Sequence, residues 1–331
     1  MKKLVAVLAC LLLLAIAGAA LAETFSVAVV YENTVDDKGW CQTMDTGMQR
    51  ATEVLAAQGV ELEYLAAENV APSDAPNKLE QLADEYDLII AHGTQFTSAI
   101  EEIAPLYPEQ AFALGTSDKI MGDNIFTYMP QSEEPGYVNG IIAGLLTKNN
   151  TVGIVGPSDS GDAARYVRGF VLGLASVNPE AAENYMISWT DSFVNFVLAG
   201  DYATTFIERG CDVLTGPGQQ AVGAIRVADS KGVTWVAQTL SQLEDYPNVV
   251  AAAADYDYSA VIVTIFSEMH NNGATGGMNI PLNYNNSGYT FTFNSDHPEL
   301  MPEEVKAQAQ AALDALIAEP NTVHYNDVVL K

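Results

Sequence analysis

An α/β fold of two Rossmann-like lobes, each built on a parallel sheet, is predicted from three observations. Short β-rich runs alternate with amphipathic helical patterns from Phe25 onward, the signature of parallel strands joined by right-handed crossovers. The alternation occurs as two consecutive series, the second starting at Thr151. No Pro/Ser-rich tether separates them, so several short crossings are expected in place of one linker. With 331 residues, 49% of them hydrophobic, the chain has material for two buried cores.

The first 22 residues stand apart. Lys2 and Lys3, an apolar stretch from Leu4 to Ile16, and Ala20-Leu21-Ala22 read as a signal peptide cleaved after Ala22. The stretch Val7-Leu8-Ala9-Cys10 is weakly lipobox-like, but it lies early and the apolar run continues behind it, which favours a soluble product over a lipoprotein.

Strand runs of the first series are Phe25–Tyr31, Glu61–Leu65, Leu88–Ala91, Phe112–Leu114 and Ile125–Met129. Met44, Met48, Ala51 and Leu55 recur at helical spacing, as do Ile100, Ile103 and Ala104, with Ser98 and Glu101 as a capping box and Pro105 near the end. In the second series the strands are Thr151–Val155, Tyr185–Trp189, Asp212–Thr215, Thr234–Gln238 and Val249–Ala253. Helical stripes lie between them: Val138/Ile141/Leu145, Val167/Phe170/Leu174, Phe196/Ala199 and Val222/Ile225. Gly136, Gly140 and Gly144, four apart, are expected to let their helix lie close against a sheet. A helix on Val261, Ile262, Ile265 and Met269 returns to the first lobe, and Tyr289–Phe293 with the helix Pro302–Ala318 closes the fold. The lobes are therefore drawn as 23–130 plus about 254–292, and 131–253 plus about 293–331.

The chain carries 14 basic and 42 acidic residues; loss of Lys2 and Lys3 leaves a net charge of −30. Such a surface repels nucleic acid and anionic lipid. Beyond the leader only Cys41 and Cys211 remain, in segments placed on different lobes, and they read as free or buried thiols.

In a doubly wound fold the functional loops follow the strands. The candidate site residues come from those strand ends: Asp36, Asp37 and Trp40; His92, Gly93 and Thr94; Thr116; Trp189 and Phe193; Gly216, Gly218 and Gln219; Gln238 and Thr239. Aromatic faces stack on flat heterocycles, and carboxylates accept hydrogen bonds from ring N–H groups or hydroxyls. Plainer readings stand beside these. Asp36 or Asp37 serves as well for a turn or helix cap, Trp40 for the core, and Gly216–Gly218 for a strand-to-helix turn. His92 has no metal-ligand spacing to another His, Cys or carboxylate, and no cofactor motif is found. The sequence holds no G-x-S-x-G elbow, H-E-x-x-H helix or Walker loop, and two adjacent aspartates are too few for the calcium cage of a nucleoside hydrolase.

Three segments resemble the basic membrane protein family of ABC-transporter substrate-binding proteins, which includes bacterial purine-nucleoside receptors. They are Asp36-Asp37-Lys38-Gly39-Trp40, then GIIAGLLTKNNTVGIVG followed by RGFVLGLASVNPE, and RGCDVLTGPGQQAVGAIRVADSKGV. The resemblance implies a type I periplasmic-binding-protein fold that holds a purine-like base between an aromatic of each lobe. Trp40 takes the first-lobe position and Phe193 (or Trp189) the second. It also implies an acceptor role for Asp36 or Asp37 and a backbone approach by the Gly216–Gly218 loop. This sequence departs from the pattern at Thr239 and Thr116, where the family has aspartates, and near Asp255, where it has a lysine; those changes weaken the case for a ribose.

The expectation is a secreted, monomeric, non-enzymatic binding protein. It passes a purine-like ligand to an ABC permease and meets the membrane only there. A sensory protein for a membrane receptor and a secreted nucleoside hydrolase are the alternatives.

Overall fold

The computed structural model describes residues 23–37 and 39–331. The expected leader and Cys10 lie outside those residues. Among the described residues no helix is long and apolar enough to cross a membrane.

The first series runs β1 (Glu23–Val30), α1 (Trp40–Ala56), β2 (Val60–Ala67), α2 (Ala75–Leu82), β3 (Leu88–Ala91), α3 (Thr97–Ile103), β4 (Ala111–Gly115) and β5 (Ile125–Pro130). The chain then crosses to α4 (Glu133–Leu146), β6 (Val152–Gly156), α5 (Gly161–Val177), α6 (Pro179–Asn184) and β7 (Met186–Trp189). It continues through α7 (Phe196–Glu208), β8 (Val213–Thr215), α8 (Ala221–Lys231), β9 (Thr234–Ala237), α9 (Leu240–Asp245) and β10 (Val250–Tyr256). A second crossing leads to α10 (Ser259–Asn272) and β11 (Met278–Leu282), and a third to β12 (Tyr289–Phe293) and α11 (Glu303–Ala318).

Two six-stranded sheets result, in the orders β2-β1-β3-β4-β5-β11 and β7-β6-β8-β9-β10-β12. The first is parallel throughout. The second is parallel except at its edge, where β12 runs antiparallel to β10. The inner strands β3, β4, β5, β6 and β8 are buried on both faces, which is why they read as short continuous apolar runs without alternation. In each sheet the strand order reverses beside the first strand, β1 or β6. The crevice at that switch point is where a doubly wound sheet accepts a ligand.

Four sequence expectations are corrected. Sheet pairing keeps β10 in the second sheet through Tyr256 and places all of β12 there, later than the boundary drawn at about 254 and earlier than the one at about 293. Strand β11 was not foreseen, because Pro281 sits inside it; at a sheet edge the missing N–H costs no ladder bond. Ser98 does not cap α3, which starts one residue earlier and is preceded by a 3-10 turn over Thr94–Phe96. The glycines of α4 face α5 instead of a sheet. A Cβ at Gly136 or Gly140 would lie 2.1 Å from the carbonyl oxygen of Tyr166 or Phe170. Gly169 and Gly173 of α5 return the arrangement against the carbonyls of Glu133 and Tyr137, so backbone meets backbone along this helix pair.

Candidate functional site

The carboxyl ends of both sheets enclose an interlobe cavity lined by residues of both lobes. Its first-lobe wall is Trp40, the first residue of α1. The indole lies parallel to the His92 imidazole, centroids 4.4 Å apart at an interplanar angle of 11°. Trp40 Nε1 donates to the His92 carbonyl at 3.2 Å. His92 Nε2 lies 3.2 Å from the Trp40 carbonyl, which can only accept, so Nε2 carries the proton. Nδ1 therefore accepts from Tyr128 Oη at 2.8 Å. Burial holds this ring neutral, its pKa lowered to about 3. His92 does not line the cavity; it is the rigid plate behind Trp40.

Neither aspartate of the opening loop lines the cavity. Asp36 is exposed and accepts from Thr34 Oγ1 at 2.6 Å. Asp37 turns toward the start of α1 and accepts from the backbone N–H groups of Gly39 (2.9 Å), Cys41 (3.1 Å) and Gln42 (3.1 Å). These are orphan donors of the helix N-terminus, so Asp37 caps α1 and thereby fixes Trp40. It also accepts from Gln219 Nε2 of the other lobe at 3.3 Å. The lobes approach so closely here that a Cβ at Gly39 would lie 2.6 Å from Gln219 Cγ.

Gly93, Thr94 and Gln95 after β3 and Thr116 after β4 complete the first-lobe lining. Thr116 adopts φ +58°, rare for a β-branched residue. Its hydroxyl accepts from the Thr94 amide (3.0 Å) and donates to the Gly115 carbonyl (2.7 Å), which holds the loop in place.

The second lobe contributes Phe193, 48% exposed at the rim, and Gly218, Gln219, Gln238 and Thr239. Gly218 adopts φ +83°, and a Cβ there would lie 3.5 Å from the Phe193 ring. Gly216 and Trp189 do not reach the cavity. A Cβ at Gly216 would meet the Val155 carbonyl at 2.2 Å, and the Trp189 ring covers Gly156. Nine of the fourteen candidate residues thus line one cavity; Asp36, Asp37, His92, Trp189 and Gly216 do not.

Seven lining residues were absent from that set: Glu32, Gly39, Gln95, Asp162, Ala163, Gln242 and Tyr256. Tyr256 ends β10 and Asp162 opens α5, so a reading of strand ends carried through β10, and one residue past Gly161, reaches both. They belong to one chain of hydrogen bonds. The Gly218 N–H donates to Gln238 Oε1 (3.1 Å), Gln238 Nε2 donates to Tyr256 Oη (2.6 Å), and Tyr256 Oη donates to Asp162 Oδ2 (2.9 Å). Desolvation raises the Asp162 pKa, opposed by the Tyr256 hydrogen bond and backbone amides. Tyr256 also meets Trp40 edge-on, with centroids 5.7 Å apart, so this residue of the second sheet touches the first-lobe wall.

Side-chain ties join the lobes around this site. Arg165 of α5 pairs with Asp118 of the first lobe at 3.1 Å and with Glu133 at 3.4 Å. Arg50 of α1 pairs with Asp257 at 3.2 Å in the second crossing. Asp255, at the position of the family's lysine, does not line the cavity; burial raises its pKa to about 6. Cys41 and Cys211 are both free and buried.

Two doubly wound lobes with a cavity between their carboxyl ends share the architecture of solute-binding proteins. Solved structures agree at the level of fold. An ABC transporter solute-binding protein of Conexibacter woesei superposes with a TM-score of 0.71 at 21% identity, over 89% of this chain and 96% of the other. One from Aeropyrum pernix gives 0.72 at 19% identity, over 89% and 91%. Residues 24–319 match the Bmp family, described as ABC transporter substrate-binding protein PnrA-like, and the chain belongs to that family. A putative ABC transporter glucose-binding protein of Haloferax volcanii is 32% identical over 64% of this chain and 52% of its own length. A purine-binding protein of Brucella abortus is 27% identical over 71% and 66%. The chain thus spans between half and two thirds of the length of these two curated relatives.

Proposed function

We propose that this protein is an extracytoplasmic binding component of an ABC importer, and that it closes on an uncharged purine-type heterocycle. The observation that carries the reading is Trp40: a flat wall backed by His92, facing a cavity to which the other lobe contributes Phe193. Aromatic walls of this kind hold a fused ring by its faces, while Gln, Thr and carboxylate groups read its edge. The chemistry is binding without bond cleavage. Ligand stabilises the closed form by its differential affinity for it, and the ties of Arg165 to Asp118 and Asp37 to Gln219 form only when the lobes meet. The closed monomer is then presented to a membrane permease.

A sugar is the second reading, favoured by the name of the Haloferax relative, since aromatic walls also pack on pyranose faces. One thermal-shift panel separates the two: nucleobases, nucleosides, hexoses and amino acids. At a hundredfold excess over Kd a bound ligand adds about 2.7 kcal/mol, and about 4 °C to the Tm of a chain this long. A response to hexoses and to no purine would overturn the purine reading. Trp40→Ala with undiminished affinity would remove the stacking wall.

A further inference from the structure

We propose that Asp162 is the specificity-determining acceptor of the cavity: the ligand presents an N–H or O–H donor to its carboxylate, and ligands carrying a phosphate are refused. The inference rests on the reading of the interlobe cavity as the ligand site and adds the chemistry of that site.

The argument is one of hydrogen-bond direction. The Gly218 amide can only donate, which fixes Gln238 with Oε1 toward Gly218 and Nε2 toward Tyr256. Tyr256 Oη accepts that bond and spends its own proton on Asp162 Oδ2. The protein groups acting on the Asp162 carboxylate are donors and one cation: the Tyr256 hydroxyl, the backbone amides of Asp162 and Ala163, and the more distant Arg165. Every group in this chain has one allowed orientation, and the chain ends on an acceptor that lines the cavity. A ligand atom meeting that acceptor must bring a hydrogen. Position at the first turn of α5 opposes the desolvation that raises the Asp162 pKa, since the helix dipole stabilises negative charge there.

Charge gives the second half. Among the described residues lining the cavity, Glu32 and Asp162 are charged and none is basic. A ligand phosphate would enter opposite two carboxylates with no basic side chain in the lining to pair with, at a cost that Coulomb repulsion in a partly desolvated site makes large. Neutral or cationic heterocycles and neutral sugars carry no such penalty.

The test is isothermal calorimetry on the mature protein with hypoxanthine, guanine, their nucleosides, the N-methylated hypoxanthines, inosine 5′-monophosphate, D-glucose and glucose 6-phosphate. Asp162→Asn is expected to weaken binding of the preferred probe about 10- to 100-fold, because its amide group must turn either against a donor or into the cavity. In the double variant with Tyr256→Phe the asparagine is free to turn, and part of the affinity returns. One N-methylated hypoxanthine is expected to bind the wild type weakly and to lose nothing further in Asp162→Asn, which a merely structural role for Asp162 would not produce. Both monophosphates are expected to give no heat.

Full affinity in Asp162→Asn, tolerance of methylation at every ring nitrogen, or a phosphate bound as tightly as its parent each overturns the proposal. The methyl and phosphate arms need only the wild-type chain, so they decide the matter even where a variant fails to fold. Glucose binding that Asp162→Asn abolishes would remove the purine reading and leave Asp162 in its role. Purine binding indifferent to Asp162→Asn would do the reverse, and a wild type that binds no probe overturns both.

Discussion

Glu133→Gln should remove a pH dependence built into the helix pair beside the first crossing. Glu133 opens α4, is buried, and reaches Arg165 Nη1 at 3.4 Å; its Oε2 has no protein partner. Burial raises its pKa from 4.5 to about 7, against the opposing pull of Arg165. A carboxyl that holds its proton more tightly in the folded state makes that state less stable as pH rises from the unfolded to the folded pKa. The loss therefore accrues between 4.5 and about 7 and is constant above. Linkage between those two values gives about 2–3 kcal/mol of lost stability from about pH 5 to about pH 8. Asp255 and Asp162 are shifted in the same direction, so the wild-type slope is a sum, and the variant isolates one contribution. Urea denaturation of both proteins at the two pH values is the assay. Glu133→Gln relative to wild type should gain about 2–3 kcal/mol more at the higher pH than at the lower. An equal difference at both would refute the reasoning, since it would mean that Glu133 ionises in the folded protein as it does in water.

Asp37→Ala should cost about 1–2 kcal/mol by uncapping α1, while Asp36→Ala stays within about 0.5 kcal/mol; denaturant midpoints compare them, and an affinity loss at unchanged stability would return Asp37 to the ligand. His92→Ala should lower stability by about 2–4 kcal/mol and also weaken ligand binding, because Trp40 loses its backing; Tm and calorimetry read the two effects separately. Gly140→Val should destabilise by at least about 3 kcal/mol, since its Cβ would fall 2.1 Å from the Phe170 carbonyl, and a Tm close to wild type would contradict the helix packing described.

Legibility followed the range of the forces involved. Strand runs such as Leu88–Ala91 and Tyr289–Phe293 were read residue for residue, because burial on a sheet writes itself into local apolar pattern. Loops after strands pointed to the cavity, and Trp40, Thr94, Thr116, Phe193, Gly218 and Gln238 arrived there. The aspartate pair lies off the cavity lining, and the sequence could not tell, because an acid before a helix suits a cap as well as a ligand. The α4 glycines showed close approach but not its partner, since a glycine records the absence of a Cβ and not what fills the space.

The sequence by itself determined two doubly wound lobes, their shared face and most of the lining, because alternating hydrophobic periods and strand-end loops are properties of neighbouring residues. Only the tertiary structure decided which carboxylate enters the cavity. Asp37 points at its own helix, while Asp162 is brought to Tyr256, 94 positions away, by two sheets closing on each other. Hydrogen-bond direction is set by such long-range meetings, and a linear pattern holds no record of them.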